Sequence, residues 1–141
     1  MGIPSQSSAS LRISGDDLDP NEITQMLGHP ASNSVRKGEL EILPSGRNRI
    51  AATGRWDRRV DYRRRPGNLD RQIGEILAPL NDDLVVWQKI SEKFKMDMFC
   101  GLFLESFNEG LVLAPNTLEA LGRRGIKLGL DIYGEENDQT D

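Results

Sequence analysis

The sequence predicts an α+β domain in which helices pack on an antiparallel or mixed sheet. Residues 19–28 have the pattern of a capped helix, with Asp19 before Pro20 at the start and a glycine at the end. Apolar residues recur at helical spacing over residues 69–80. Over residues 126–133, apolar and polar residues alternate strictly, as they do in a strand with one buried face. Both periodicities in one short chain indicate mixed helix and sheet.

The first half of the chain predicts a strand, a helix and a β-rich region. Leu11 and Ile13 alternate with polar neighbours, as in a half-buried strand. Asp19 is suited to cap the helix, because its carboxylate can accept hydrogen bonds from free amides of the first turn. Residues 35–62 have β patterning, and Pro44-Ser45-Gly46 supplies a turn inside it.

The second half predicts two helices, a central strand and a final helix–strand pair. Asn68 can cap the helix over residues 69–80, which Pro79 should break near its end. The further predicted elements are a helix capped by Asp82, an apolar central strand at 96–107, a short strand at 111–113, a helix at 115–121 and the strand at 126–132.

Length and composition bound the class of protein. The 141 residues are a single-domain length, and 37% hydrophobic with 28% charged residues is typical of a soluble globular protein. We expect a disordered N-terminus over residues 1–9, one domain over 10–133 and an acidic flexible tail over 134–141. The single cysteine, Cys100, excludes an internal disulfide framework and indicates a cytoplasmic protein. The sequence indicates no membrane partner, since no apolar run approaches the ~18 residues of a membrane span.

A short pattern near the start of the chain returns near its end. Leu18-Asp19-Pro20-Asn21 and Leu113-Ala114-Pro115-Asn116 are each followed by apolar residues at the same offsets. Two such β–α units predict a pseudo-repeated fold, ferredoxin-like in its arrangement. The alternative is chance, because proline is common at the first position of a helix.

The charge is distributed unevenly, and its basic part contains the candidate binding residues. The chain carries a net charge of −4, yet residues 47–65 contain eight arginines and only two aspartates. Period two places Arg58 on one face with Trp56 and Tyr62, where an arginine needs an acid, an aromatic ring or an anion as partner. The candidate set is Arg55, Trp56, Arg58, Arg59, Tyr62 and Arg63. The alternative is a solvated surface paired with nearby acids.

Other reactive residues have structural explanations. The cluster Asp16-Asp17-Leu18-Asp19 is explained by a turn and a helix cap better than by a cation site. The single histidine, His29, follows a helix end, and Cys100 lies in the most apolar strand, where cysteine behaves as a small hydrophobe. The sequence therefore predicts no catalytic residue, no metal site and no cofactor.

Several segments resemble a known family. Residues 11–20, Arg36-Lys37-Gly38, Gly54-Arg55-Trp56 and the closing residues 128–133 are similar to those of small bacterial proteins catalogued as domain of unknown function 4279. The resemblance implies a compact bacterial α+β domain and supplies no established catalytic residue. In size and composition the chain is also similar to immunity proteins of bacterial toxin systems.

Three function classes follow from these observations. The first is a non-enzymatic protein-interaction or regulatory protein of immunity type, with a protein as partner. The second is an anion or single-stranded nucleic-acid binder that uses the 55–65 segment. The third is a hydrolase-type enzyme using Asp16, Asp17, Asp131 or His29, which requires these groups to converge on one cleft. The sequence does not define the oligomeric state.

Overall fold

Strands and helices alternate irregularly along the chain in the computed structural model, which describes residues 2–134. The strands are β1 Gln6–Gly15, β2 Asn33–Val35, β3 Leu40–Ile42, β4 Asn48–Ile50, β5 Gly54–Arg58, β6 Lys95–Phe103 and β7 Lys127–Tyr133. The helices are α1 Pro20–Leu27, α2 Leu69–Leu77, α3 Leu84–Lys93 and α4 Pro115–Arg123. No described helix is long and apolar enough to cross a bilayer.

Five strands form one mixed sheet in the order β2-β5-β1-β6-β7, and β3 pairs with β4 in a separate hairpin. Neighbouring strands of the sheet are antiparallel except β6 and β7. These two strands run parallel, and α4 lies between them along the chain. The predicted α+β class and mixed sheet are thus confirmed. The ferredoxin-like arrangement is not confirmed, because three further strands stand between α1 and β5.

The helices pack on one face of the sheet and form the core with it. Leu11 and Ile13 of β1 are fully buried there, as is Met98 on the neighbouring β6. Two tryptophans, Trp56 of β5 and Trp87 of α3, are also fully buried in this cluster. The alternate residues of each strand lie on the opposite face, which we call the open face.

The structure confirms the predicted caps of α1 and α2 and shifts the predicted cap of α3 by one residue. The Asp19 carboxylate accepts a hydrogen bond of 3.0 Å from the backbone amide of Asn21, and α1 ends at Gly28 with φ of 74°. Asn68 caps α2 through a bond of 3.1 Å from the amide of Arg71. The cap of α3 is Asp83, one residue after the predicted Asp82, because the Asp83 carboxylate reaches the Val85 amide at 3.0 Å.

The N-terminal prediction needs correction, because residues 6–9 form the first four residues of β1 rather than a disordered segment. They pair with β6 residues from Cys100 to Phe103. The Ser7 side chain is fully buried, and its hydroxyl donates to the side chain of Gln72. In return, the Gln72 amide donates to the Ser7 carbonyl at 3.0 Å. This bonded pair satisfies polar groups whose burial would otherwise be unfavourable.

Three smaller predictions also differ from the structure. The central strand β6 ends at Phe103, and residues 111–113 form no strand. Although α4 begins at Pro115 as α1 begins at Pro20, no strand leads into α4, so the second β–α unit of the repeat is absent. Apart from Gly134, the predicted acidic tail lies outside the described residues.

Candidate functional site

The six candidate residues of the 55–65 segment do not form one surface. Trp56 and Arg58 point to the helices, whereas Arg55 lies on the open face of β5. The strand ends at Arg58, so the remaining three, Arg59, Tyr62 and Arg63, lie in the irregular segment that follows. The segment therefore divides into a structural part and an exposed part.

Trp56 belongs to the core. Its side chain is fully buried, and its indole nitrogen donates to the Thr24 hydroxyl of α1 at 3.0 Å. This bond satisfies the one polar atom of the side chain, so the ring packs without an unpaired donor. Trp56 cannot stack on an external ligand in this position.

Arg58 stabilises the end of α2. Its Nε donates to the Ile76 carbonyl at 2.9 Å and its Nη2 to the Glu75 carbonyl at 3.3 Å. The last carbonyls of a helix lack amide partners within it and carry partial negative charge, which a guanidinium complements. Burial lowers the pKa of Arg58. A sequence signal for this role is the absence of any basic residue from the last turn of α2.

Arg55 joins the β3–β4 hairpin to the sheet. Its Nη2 lies 3.2 Å from Oε2 of Glu41, and its Nε lies 3.8 Å from Oδ2 of Asp57. Glu41 also accepts from Arg49 on the paired strand of the hairpin. Burial by itself would raise the pKa of Glu41, but the hydrogen bonds from Arg49 and Arg55 lower it overall. Arg55 is therefore paired within the molecule.

The hairpin has an inverted polarity. Its acidic Glu41 faces the sheet, while Leu40, Ile42 and Ile50 expose 62%, 75% and 62% of their surface. Leu40 stands directly opposite Ile50, and Ile42 lies two residues from Leu40, so the three share one side. We call these three residues the hairpin patch. The sequence shows the alternation of β3 but not which of its sides meets the sheet.

One row of charged and polar residues crosses all five strands of the open face. In register order it consists of Asn33, Asp57, Arg12, Asp97 and Lys127. Arg12 binds Asp97 through two bonds of 2.8 and 2.6 Å, and its guanidinium lies 4.3 Å from the centre of the Phe99 ring. The hydrogen bonds that Arg12 donates to the Asp97 carboxylate raise the pKa of Arg12. The row is thus organised around one fixed cation.

Asp57 is the least satisfied member of this row. Its Oδ1 is buried and has no hydrogen-bond partner among the described residues. Burial raises the pKa of Asp57.

The row borders a groove of about 540 Å³ whose charged lining includes Arg12, Lys95 and Lys127. Within residues 2–134, no group of three or more histidine, cysteine or acidic side chains could hold a metal ion.

A second exposed feature lies where β5 ends. The Tyr62 ring is exposed, and the guanidinium groups of Arg59 and Arg63 lie 5.9 and 5.6 Å from its centre. Arg63 also lies 4.0 Å from the centre of the Phe103 ring, which stacks on Tyr133 at 4.8 Å between ring centres. We call these five residues the arginine–aromatic cluster. Sequence reasoning missed Phe103 and Tyr133, because only the parallel register of β6 and β7 brings them there.

The acidic cluster near the start of the chain is paired. Arg36 lies 2.8 Å from the Asp19 carboxylate, and Lys37 lies 3.2 Å from that of Asp16. The hydrogen bond from Lys37 lowers the pKa of Asp16. Two segments that carry the family resemblance therefore meet each other at this turn, and their charges have a structural explanation.

The residues considered for catalysis do not converge. Asp131 accepts a hydrogen bond of 2.6 Å from Tyr133 and stands in register with Gly101. Gly101 is opposite Ser8, seven residues along β1 from Gly15, so about 23 Å of strand separate Asp131 from the turn that holds Asp16. The His29 ring nitrogen Nδ1 lies 2.8 Å from the adjacent Pro30 carbonyl, in a loop after α1.

Cys100 is a core residue. Its side chain is fully buried in β6. Burial raises the pKa of its thiol to about 12. The thiolate that a nucleophilic cysteine requires is therefore suppressed at neutral pH.

A family described as a domain of unknown function, DUF4279, matches residues 5–135. No curated protein and no solved structure matches the chain. The family description names no activity.

Proposed function

The chain belongs to the DUF4279 family, and we propose that it acts as a protein-interaction module that binds a partner protein through the hairpin patch. The observation that carries this proposal is the exposure of Leu40, Ile42 and Ile50 on one side of a two-stranded hairpin. Contiguous exposed apolar side chains are typical of surfaces that another protein covers.

The attachment of the hairpin supports the proposal. Glu41 pairs with Arg55 of the sheet on the inner side, so the patch is presented on a fixed support. A surface that is ordered before binding loses less conformational entropy when a partner covers it. An immunity-type role is one form of this function, in which the partner is a toxin that is neutralised by binding.

Replacing Ile42 with serine should weaken partner binding roughly tenfold to a hundredfold, since burial of one isoleucine side chain contributes about 1.5–3 kcal/mol. The immobilised full chain, incubated with bacterial lysate, should capture a protein that Ile42→Ser and Ile50→Ser no longer retain. Because both positions are exposed, the free energy of unfolding of each variant should lie within about 0.5 kcal/mol of that of the parent chain.

The matched control is Val85→Ser, which removes an exposed aliphatic side chain from α3, on another part of the surface. It should capture the same protein as the parent chain. Equal capture by all four chains would contradict the role of the hairpin patch, as would a parent chain that retains no protein.

A second candidate function is binding of single-stranded nucleic acid at the arginine–aromatic cluster. The specific observation is an exposed Tyr62 whose ring centre lies 5.9 and 5.6 Å from two guanidinium groups, near the stacked pair of Phe103 and Tyr133. Proteins that bind single strands combine cationic grooves with aromatic rings on which bases stack. The open face, which no described helix covers, would leave room for such a strand.

Tyr62→Ala should weaken binding of a fluorescein-labelled thymidine 15-mer roughly fivefold to a hundredfold, because each stacked base contributes about 1–3 kcal/mol. Fluorescence anisotropy measures this change, and the affinity of the parent chain should fall steeply as salt rises. Arg123→Ala is the control, since it removes an exposed arginine of α4 that pairs with Glu119. Absence of binding at low salt, or an equal loss in the control, would eliminate this candidate.

A further inference from the structure

The outer strand β7 carries an apolar surface that the described residues cover only in part. It is seven residues long, and no strand pairs with its outer edge within residues 2–134. On its helix side, Leu130 and Ile132 expose 46% and 57% of their surface. The sequence predicts that this side is buried, and the structure instead leaves it half-exposed.

The two edges of the sheet differ in a way that points to pairing at β7. The other outer strand, β2, has only three residues, of which Asn33 and Ser34 are polar and exposed. Short polar edges resist pairing with another chain, whereas a long apolar edge offers a row of free amide and carbonyl groups to a further strand. Pairing is thus discouraged at β2 and favoured at β7.

We propose that β7 pairs antiparallel with β7 of a second copy of this chain, which joins the two sheets into one ten-stranded sheet. A twofold axis through Leu130 uses the whole strand. On the helix side, Leu130 meets Leu130 of the partner subunit, and Leu128 meets Ile132 of the partner subunit. An interface of this symmetry requires a self-complementary surface, and the order of residues in β7 supplies one.

Charge supports the same register. Lys127 lies near one end of β7 and Asp131 near the other, and both lie on the open face with Gly129 between them. In the register centred on Leu130, Lys127 is the diagonal neighbour of Asp131 of the partner subunit, and the contact occurs twice. A register centred on Asp131 would instead place two carboxylates opposite each other, which is unfavourable.

The proposed dimer is independent of the hairpin patch. The hairpin lies beside β2 and β5, and the groove between them is lined by Asn33, Glu41 and Arg55. The β7 edge is at the other side of the sheet, with β1 and β6 between. A dimer formed through β7 therefore leaves the hairpin patch free, so the two proposals can fail separately.

Sedimentation equilibrium of the full chain tests the dimer. We expect a species of twice the 15.8 kDa chain mass, and Leu130→Arg should convert it to a monomer that keeps the parent circular dichroism spectrum. Lys127→Glu and Asp131→Lys should each shift the equilibrium toward monomer by placing like charges together. The double variant, which exchanges the two charges, should restore the dimer.

Three outcomes would overturn the proposal. A parent chain that remains monomeric at its solubility limit excludes the dimer. A dimer that all β7 variants retain places the interface elsewhere. A chain ending at residue 134 that dimerises while the full chain does not would assign the β7 edge to the residues that follow it.

Discussion

Trp56→Ala is expected to lower the free energy of unfolding by about 3–5 kcal/mol, the usual range for removing a large aromatic side chain from a core. Trp56 is fully buried between the sheet and the helices, and its indole donates to Thr24. The substitution leaves a cavity and an unpaired hydroxyl. Single domains have a free energy of unfolding of only about 5–15 kcal/mol, so Trp56→Ala would remove a large part of it. Urea denaturation followed by tryptophan fluorescence of Trp87 and by circular dichroism measures the change.

Two control variants separate the contributions at this position. Trp56→Phe keeps most of the apolar contact and loses the bond to Thr24, so its effect should be much smaller. Thr24→Val removes the acceptor and leaves the indole donor buried without a partner, which costs about 1–3 kcal/mol. A loss below about 1.5 kcal/mol for Trp56→Ala would contradict the buried position of the ring.

Arg58→Ala is expected to destabilise the fold by about 2–3 kcal/mol, because hydrogen bonds from a charged donor contribute more than neutral ones. The substitution removes both bonds to the carbonyls of Glu75 and Ile76 at the end of α2. The melting temperature and the urea concentration at the unfolding midpoint should both fall. Amide hydrogen exchange should accelerate in the last turn of α2.

The neighbouring Arg59 provides the matched control. Its guanidinium lies 5.9 Å from the centre of the exposed Tyr62 ring and forms no hydrogen bond or ion pair within residues 2–134, so Arg59→Ala should change stability by less than about 0.5 kcal/mol. If Arg58→Ala instead left stability unchanged and abolished binding of the thymidine 15-mer, Arg58 would be a ligand-binding residue. The comparison therefore distinguishes the helix-capping role from the role that the sequence suggested.

The sequence predicts well the features that local chemistry determines. Asp19 and Asn68 cap their helices because each side chain needs only amides two or three residues away. The helical stripe of α2 likewise predicts its buried face, as in Ile73 and Ile76. Such interactions depend on spacing along the chain, which the sequence displays directly.

Features that depend on distant pairing were not predictable in the same way. Arg58 has its partners on α2, eighteen residues or so along the chain, and alternation alone did not identify carbonyl groups as those partners. Phe103 and Tyr133 meet only through the register of β6 and β7. The hairpin patch shows the same limit, since alternation in β3 reveals two sides but not their environments.

The serine-rich start of the chain is the clearest case. Residues 6–9 contain three polar residues and no large apolar one, a composition that local reasoning assigns to disorder. Their order comes from β6, more than ninety residues later, and from the buried contact of Ser7 with Gln72. Pairing partners outside the local window therefore decide the structure of this segment.

The central position of β1 also determines when its strand pairs can form during synthesis of the chain. Both of its long edges are completed only by strands made later, β5 on one side and β6 on the other. At translation rates of about 5–20 residues per second, β1 leaves the ribosome roughly 4–18 s before the end of β6. During that interval the edge of β1 that pairs with β6 has no partner strand in the nascent chain. The strand at the centre of the finished sheet is therefore made first and acquires its second pairing partner late in synthesis.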